Sequence, residues 1–116
     1  MTRASSLVIT YDDFEKVDVR VGVITEVEDF PRARNPSYKL TVDFGPEIGT
    51  KRSSAQVTSY SKEELVGRQV VAVVNFEPRN IAGFMSEVLV LGAADADGQV
   101  VLLTPTREAV VGGRMY

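Results

Sequence analysis

Cysteine, histidine and tryptophan are all absent from this sequence of 116 residues. Without cysteine the chain cannot form disulfides, use a thiolate nucleophile or hold a metal through sulfur. Without histidine it lacks the commonest general base and the commonest metal ligand, so histidine-based triads are excluded. Asp43 and Glu47 could form a carboxylate pair, but Glu47 lies in a Gly-Pro turn and no activated nucleophile accompanies them. We therefore expect no enzymatic activity, no cofactor and no metal site.

Long apolar runs are also missing. The stretch at residues 7–9 is too short for the h-region of a signal peptide, which needs about 7–15 residues. No run approaches the roughly 20 residues that cross a bilayer. A content of 44% hydrophobic and 25% charged residues is typical of one soluble globular domain. We therefore expect a cytoplasmic protein without membrane insertion.

Positive charge is scarce except in one segment. The formal net charge is −3, which argues against indiscriminate binding of nucleic acid. Residues 30–56, however, carry five basic and only two acidic side chains, whereas residues 1–29 carry three basic and seven acidic ones. This segment predicts either a local positive surface or an ordinary solvated face of mixed charge.

A short predicted helix near the start of the chain is followed by a segment in which apolar and polar residues alternate. Residues 1–10 lack periodicity and are predicted to form a flexible arm. Thr10 would cap a helix over residues 11–16, whose acidic side chains suit the positive end of the helix dipole. A half-buried strand follows, with an apolar face made of Val17, Val19, Val21, Val23 and Val27. Gly22 interrupts the strand and predicts a bulge or bend there.

The remaining chain predicts short strands with one helix among them. The first group is a strand at 38–44, a turn at 45–49, a polar strand at 50–57 and a capped helix at 61–65 that ends at Gly67. The second group is a strand at 70–74, a loop at 78–83, a strand at 87–91, a turn at 96–98 and a strand at 100–103. A tail of residues 105–116 closes the chain. This order predicts a mainly β fold, an OB-type barrel of five strands with a C-terminal strand extension.

The late strands carry more apolar surface than one small barrel covers. Residues 88–91 and 100–103 are apolar on both faces, and a barrel interior covers only one face. A two-fold homodimer would cover the other face, because exposed apolar patches commonly mark interfaces. Alternatively, the C-terminal tail folds back over it.

Several segments resemble a known family. The run at 14–22 (FEKVDVRVG) resembles the opening of the tRNA-binding domain family, whose OB-fold members occur at the ends of some aminoacyl-tRNA synthetases and as free-standing dimers. Other segments resemble more closely the CsaA-type secretion-related chaperones within this family. These are 33–40 (ARNPSYKL), 43–46 (DFGP), 53–57 (SSAQV), 64–70 (ELVGRQV), 74–79 (VNFEPR), 83–92 (GFMSEVLVLG) and 101–105 (VLLTP).

The resemblance implies one tRNA-binding-type OB-fold domain over residues 11–116. It further implies a homodimer, a cytosolic role in holding or exporting preproteins, contact with the export machinery, and a surface for tRNA. One departure concerns the tRNA surface. Synthetase-type members carry two basic residues before a Ser-Glu-Gly-Met sequence, whereas here Val88 and Leu89 follow Ser86 and Glu87, and one basic position is apolar.

Candidate tRNA-binding residues lie on the second and third strands, the usual ligand face of OB folds, and on nearby loops. The basic members, Arg32, Arg34, Lys39, Lys51 and Arg52, would form one positive groove for phosphates or serve only solubility. The polar members are Ser53, Ser54 and Gln56, which would bond to a ligand or satisfy the strand edge. Arg79, Ser86 and Glu87 join them from the later loop.

A second set of candidates would bind unfolded polypeptide. It consists of Asn75, Phe76, Phe84, Met85 and Ser86. Clustered aromatic and methionine side chains form adaptable apolar surfaces that suit varied peptides. They would equally stack unpaired bases or belong to the core, and the Asn75 amide would equally fix its own loop. The sequence thus predicts a peptide-binding chaperone or, alternatively, a structure-specific tRNA-binding protein.

Overall fold

The computed structural model describes residues 7–116, and this range contains three short helices and nine strands. The helices are α1 (Tyr11–Glu15), α2 (Gly45–Ile48) and α3 (Lys62–Leu65). The first strands are β1 (Val19–Asp29), β2 (Tyr38–Asp43), β3 (Thr50–Ala55), β4 (Gln69–Val73) and β5 (Arg79–Ile81). The last strands are β6 (Phe84–Ser86), β7 (Leu89–Val90), β8 (Gly92–Ala94) and β9 (Val100–Leu102). Of the predicted arm, residues 1–6 lie outside the described residues.

Five antiparallel strands curl into a nearly closed barrel in the order β3-β2-β1-β4-β7. Individual hydrogen bonds close the gap between β3 and the chain around Glu87, whose backbone N–H donates to the carbonyl of Arg52 over 2.8 Å. The core inside contains Ile24, Leu40, Val42 and other apolar side chains. The predicted mainly β, OB-type barrel with short helices is therefore confirmed, and the β8–β9 hairpin forms the C-terminal extension.

The valines predicted to share one apolar face of the first strand lie on both sides of the barrel wall. Val19 and Val21 point away from the barrel interior and form a separate cluster with Val71 and Val73 of β4. Ile24 faces the interior instead. The register with β2 shifts between Ile24 and Glu26, and this bulge returns the next valine, Val27, to the interior side.

Gly22 is not the site of the bulge, which lies between Ile24 and Glu26. A Cβ atom at this position would lie 2.6 Å from Cγ1 of Val42 and 2.8 Å from Cε1 of Phe44. The glycine is therefore needed because two core side chains occupy the space that a side chain would require.

Both predicted helices begin with capping boxes. The Thr10 hydroxyl accepts the N–H of Asp13, and the Ser61 hydroxyl accepts the N–H of Glu64. The predicted loop at 78–83 is instead the β5–β6 hairpin. Its turn residues, Ala82 and Gly83, have φ values of 50° and 87°, so both adopt the left-handed conformation typical of two-residue hairpin turns.

The C-terminal tail folds back onto β1. The N–H of Val21 donates to Gly113, and the N–H groups of Gly112 and Met115 donate to carbonyls of β1. The Gln69 amide pairs with both backbone groups of Ala109, over 2.7 and 2.8 Å. The tail thus covers the outer valine cluster, whereas Leu89, Val101 and Leu103 remain exposed. None of the helices in residues 7–116 has the length and apolar character to cross a membrane.

Candidate ligand-binding surfaces

A cluster of cations and aromatic rings lies on the outer face of β1, β2 and β3. Lys39 of β2 places its Nζ 5.0 Å from the ring centroid of Phe30 and 5.4 Å from that of Phe84. The Arg52 guanidinium lies 4.8 Å from the Phe84 centroid, and the two rings meet edge to face at 5.4 Å. Arg32 joins Lys39 around an adjoining hollow of about 230 Å³. We call these five residues the cation–aromatic face.

The cation–aromatic face exposes its positive charges more than its aromatic rings. Phe84 is only 8% exposed, because two cations and Phe30 pack around it. Arg52 forms a salt bridge of 3.0 Å with Glu28, but its Nε is buried without an acceptor among the described residues. The arrangement therefore suits an anion that contacts Lys39 and Arg52, and it leaves little of Phe84 for base stacking.

Two of the five predicted cations lie elsewhere. Arg52 pairs across the sheet with Thr41, whereas Lys51 pairs with Val42, whose side chain is fully buried. Because directly opposed residues share a face, Lys51 is on the other side of the strand from Arg52. Arg34 lines a different cavity, described below. The structure thus brings three of the five predicted cations together, and the five do not form one continuous groove.

Among the predicted polar residues, Ser53 is not available to a ligand. It is 1% exposed, and its hydroxyl donates to the carbonyl of Val88 over 2.9 Å. Ser86 and Glu87 also have structural roles. The Ser86 hydroxyl accepts the N–H of Ser54 over 3.0 Å, and the Glu87 carboxylate accepts the N–H of Arg52 over 2.9 Å. These side chains close the barrel where a regular ladder is missing.

An apolar cavity of about 720 Å³ opens beside the end of β4. Its wall includes the apolar side chains of Phe76, Pro78, Ile81, Val88 and Leu89. Phe76 is 56% exposed and Leu89 48% exposed. Such large apolar side chains at a concave, accessible surface are typical of a ligand site.

A second cavity, of about 570 Å³, adjoins the first. Four residues line both cavities, namely Ser54, Arg79, Ile81 and Leu89. Beyond them, Arg34, Gln56 and apolar residues such as Val100 line the second cavity. We call the two cavities together the apolar groove.

The predicted peptide-binding residues are divided by the structure. Phe76, Asn75 and Ser86 line the groove, whereas Phe84 belongs to the cation–aromatic face and the exposed Met85 lines neither cavity. The Asn75 amide is already engaged, because it accepts the N–H of Asp18 and donates to the carbonyl of Lys16. This amide therefore fixes the junction of α1 and β1.

Several groove residues were not among the sequence candidates, and Pro78, Ile81 and Leu89 are examples. Ile81 was assigned to a loop, although it lies on a strand. The sequence does indicate that Leu89 lies at a binding surface, because its strand is apolar on both faces. That pattern was attributed to a dimer contact.

Three charged groups outside the groove and the cation–aromatic face have displaced pKa values with structural causes. The pKa of Glu64 is lowered chiefly because its carboxylate accepts the backbone N–H of Ser61, and the Ser61 side chain lowers it further. The pKa of Lys62 is raised by its hydrogen bond to Asp29, over 2.9 Å. That of Arg20 is raised chiefly by its hydrogen bond to Asp18, over 2.6 Å.

Solved structures similar to this fold include two chaperones. The CsaA chaperone protein from Picrophilus torridus is 54% identical, covers 94% of this chain and all of its own, and superposes with a TM-score of 0.89. The chaperone CsaA of Bacillus anthracis str. Ames is 48% identical, covers 95% of this chain and all of its own, and has a TM-score of 0.88.

Curated relatives include methionine–tRNA ligases. That of Pyrococcus abyssi is 39% identical over 107 residues, which is 92% of this chain but 14% of the ligase. That of Porphyromonas gingivalis strain W83 is 36% identical over 92% of this chain and 15% of the ligase. The chain thus spans only about a seventh of the length of these relatives.

A family model described as "Putative tRNA binding domain" matches residues 19–114, nearly the whole barrel and its tail. The matched region begins with β1 and ends within the segment that bonds to β1. The chain belongs to the tRNA-binding domain family.

Proposed function

We propose that this protein is a non-catalytic, cytoplasmic chaperone that binds unfolded or exported preproteins and assists their secretion as a homodimer. The observation that carries the proposal is the apolar groove, where Phe76 and Leu89 are about half exposed. Unfolded chains expose apolar side chains, and burying them in such a groove is favourable. The two CsaA chaperone structures, similar over their whole length, support the same assignment.

The homodimer is supported by apolar side chains that the tail does not cover. Val101 of β9 and the following Leu103 are exposed, while the tail covers the valine cluster of β1 and β4. A second copy would bury them and would extend the surface offered to a client.

A charged side chain in the groove tests this function. We expect Phe76→Asp to weaken binding of a fluorescently labelled, permanently unfolded polypeptide by at least about tenfold, because the client would lose its apolar contact. Val66→Asp is the matched control, since Val66 is 52% exposed and lines neither cavity. Fluorescence anisotropy measures both. Equal binding by the two variants would refute the assignment of the groove.

A second candidate function, structure-specific tRNA binding, is favoured by the cation–aromatic face. Lys39, Arg52 and Arg32 converge there, and an outer strand face is where OB folds commonly hold nucleic acids. The curated relatives named methionine–tRNA ligase align with this chain over the same domain.

The position of Lys51 supplies a matched control for the tRNA test. We expect Lys39→Glu to weaken tRNA binding several-fold and to reduce the slope of log affinity against log salt by about one. Lys51→Glu changes the net charge equally but lies on the other side of β3, so its tRNA affinity should stay near that of the unmodified protein. Filter retention at several salt concentrations distinguishes them, and equal losses would rule out the proposed face.

A further inference from the structure

Charge is distributed unevenly along the apolar groove. The first cavity has Glu77 and Glu87 in its wall, and the Glu87 carboxylate is held by the N–H of Arg52. The second cavity has no acidic residue in its wall and has Arg34, while Arg79 lines both cavities. Because Glu77 and Glu87 line only the first cavity and Arg34 lines only the second, the two ends of the groove differ in charge.

The two arginines of the second cavity have no partner within the described chain. The salt bridges found among residues 7–116 involve other cations, such as Arg20, Arg52 and Lys62. Val90, Leu91 and Val100 line the same cavity and lower its local polarity. Both arginines are exposed, so a carboxylate on a bound ligand can reach them and form charge-assisted hydrogen bonds with their guanidinium groups. The second cavity therefore suits a negatively charged group on a mostly apolar ligand.

The edge of β5 indicates what kind of ligand this is. Within the described chain β5 pairs only with β6, so its other edge has free backbone donors and acceptors. Arg79 and Ile81, the two ends of β5, line both cavities. An extended polypeptide would bond to this edge as an added strand and place alternate side chains in the cavities. A fatty acid or a nucleotide would leave this edge unused.

We propose that the groove selects extended apolar polypeptide segments that carry an acidic residue at one end, with that carboxylate held by Arg34 and Arg79. The inference rests on the proposed chaperone function and names the class of client that its groove prefers. Glu77 strengthens the preference, because it disfavours a second acidic residue at the opposite end of the segment.

Synthetic peptides of ten residues with blocked ends test the preference. They share an alternating Val/Thr/Leu/Ser core and differ at one terminal position, which is Glu, Gln or Lys, in versions that place it first or last. We expect one Glu peptide to bind about fivefold tighter than its Gln counterpart and the Lys peptides to bind most weakly. A Gln peptide with a free C-terminal carboxylate shows whether a main-chain carboxylate serves as well as a side chain.

Charge reversal of the arginines completes the experiment. R34E/R79E should reverse the order, so that a Lys peptide binds more tightly than the Glu peptides. R107E is the control for charge reversal outside the groove, because Arg107 is exposed and lines neither cavity. Its preference should remain that of the unmodified protein.

The outcomes separate the two proposals. If no peptide binds, the chaperone function itself fails. If all peptides bind equally, or if R107E changes the order as much as R34E/R79E does, the chaperone function stands and the acidic preference is refuted. Displacement of the peptides by decanoate at equal concentration would refute a polypeptide as the preferred occupant.

Discussion

Two neighbouring serines of β3 have opposite environments. The Ser53 hydroxyl is buried and donates to the carbonyl of Val88, whereas Ser54 is partly exposed at the groove. We expect Ser53→Ala to lower the free energy of unfolding by about 1–2 kcal/mol, because a buried carbonyl loses its donor. Ser54→Ala should change it by less than about 0.5 kcal/mol. Urea denaturation measures both, and similar values for the two variants would contradict this difference.

The same alternation explains which site residues the sequence could identify. Lys39 was correctly predicted to point outward, because it lies between Tyr38 and the buried Leu40. Lys51 and Arg52 were grouped by their positive charge, although adjacent strand residues face opposite sides. The third strand is polar on both faces, so its pattern does not indicate which face is buried.

At the scale of elements, the capping box of α3 depends on the charge of Glu64. The folded protein lowers the pKa of this carboxyl, chiefly through the backbone N–H of Ser61. The stabilisation is therefore present above the pKa of the unfolded chain and is lost as the pH falls through the folded value. NMR titration should give a pKa below the ordinary 4.5. Glu64→Gln should remove this part of the acid sensitivity, whereas Glu63→Gln should leave it.

The turn of the β5–β6 hairpin contains a strained residue. Ala82 has a φ of 50°, which asparagine tolerates better than alanine does. We expect Ala82→Asn to raise the free energy of unfolding by about 0.5–1 kcal/mol and Gly83→Ala to lower it by about 1 kcal/mol. Thermal denaturation tests this pair. A less stable Ala82→Asn protein would show that the turn does not strain this position.

Local sequence patterns predicted most helices and strands of this fold. They did not predict the places where the structure is irregular. Thr10, Ser61 and the alternation of the second strand correctly predicted both capped helices and β2. The sequence does not reveal which residues of the first strand face the barrel interior, because Val19, Val21 and Val23 are as apolar as Ile24. Only the folded tail shows that the outer face of this strand is covered as well. The hairpin at β5 was missed because its turn has alanine where a glycine or asparagine would have marked it.

At the scale of the whole molecule, the exposed apolar side chains predict a dimer. We expect light scattering at micromolar concentration to give twice the mass of one chain. Val101→Asp should shift it toward the mass of one chain, because a charge would be buried at the interface. Val66→Asp, on the surface beside α3, should remain dimeric. A single-chain mass for the unmodified protein would refute the dimer.

The groove and the cation–aromatic face differ in physical character, and their ligands should respond differently to salt. Binding through apolar burial changes little with ionic strength, whereas three phosphate contacts release counterions steeply. Ser54 and Arg79 are shared between the two cavities of the groove but neither lines the hollow that adjoins the face. The two surfaces are thus separate enough to be tested independently.

The most direct measurement is a side-by-side titration of the protein with an unfolded polypeptide and with tRNA, at low and at raised salt. Between about 50 and 200 mM salt, polypeptide affinity should fall less than about threefold, while three phosphate contacts predict a fall of about fortyfold for tRNA. Phe76→Asp should abolish only the polypeptide signal. If polypeptide binding instead fell in parallel with tRNA binding and survived Phe76→Asp, the groove would not be the client site.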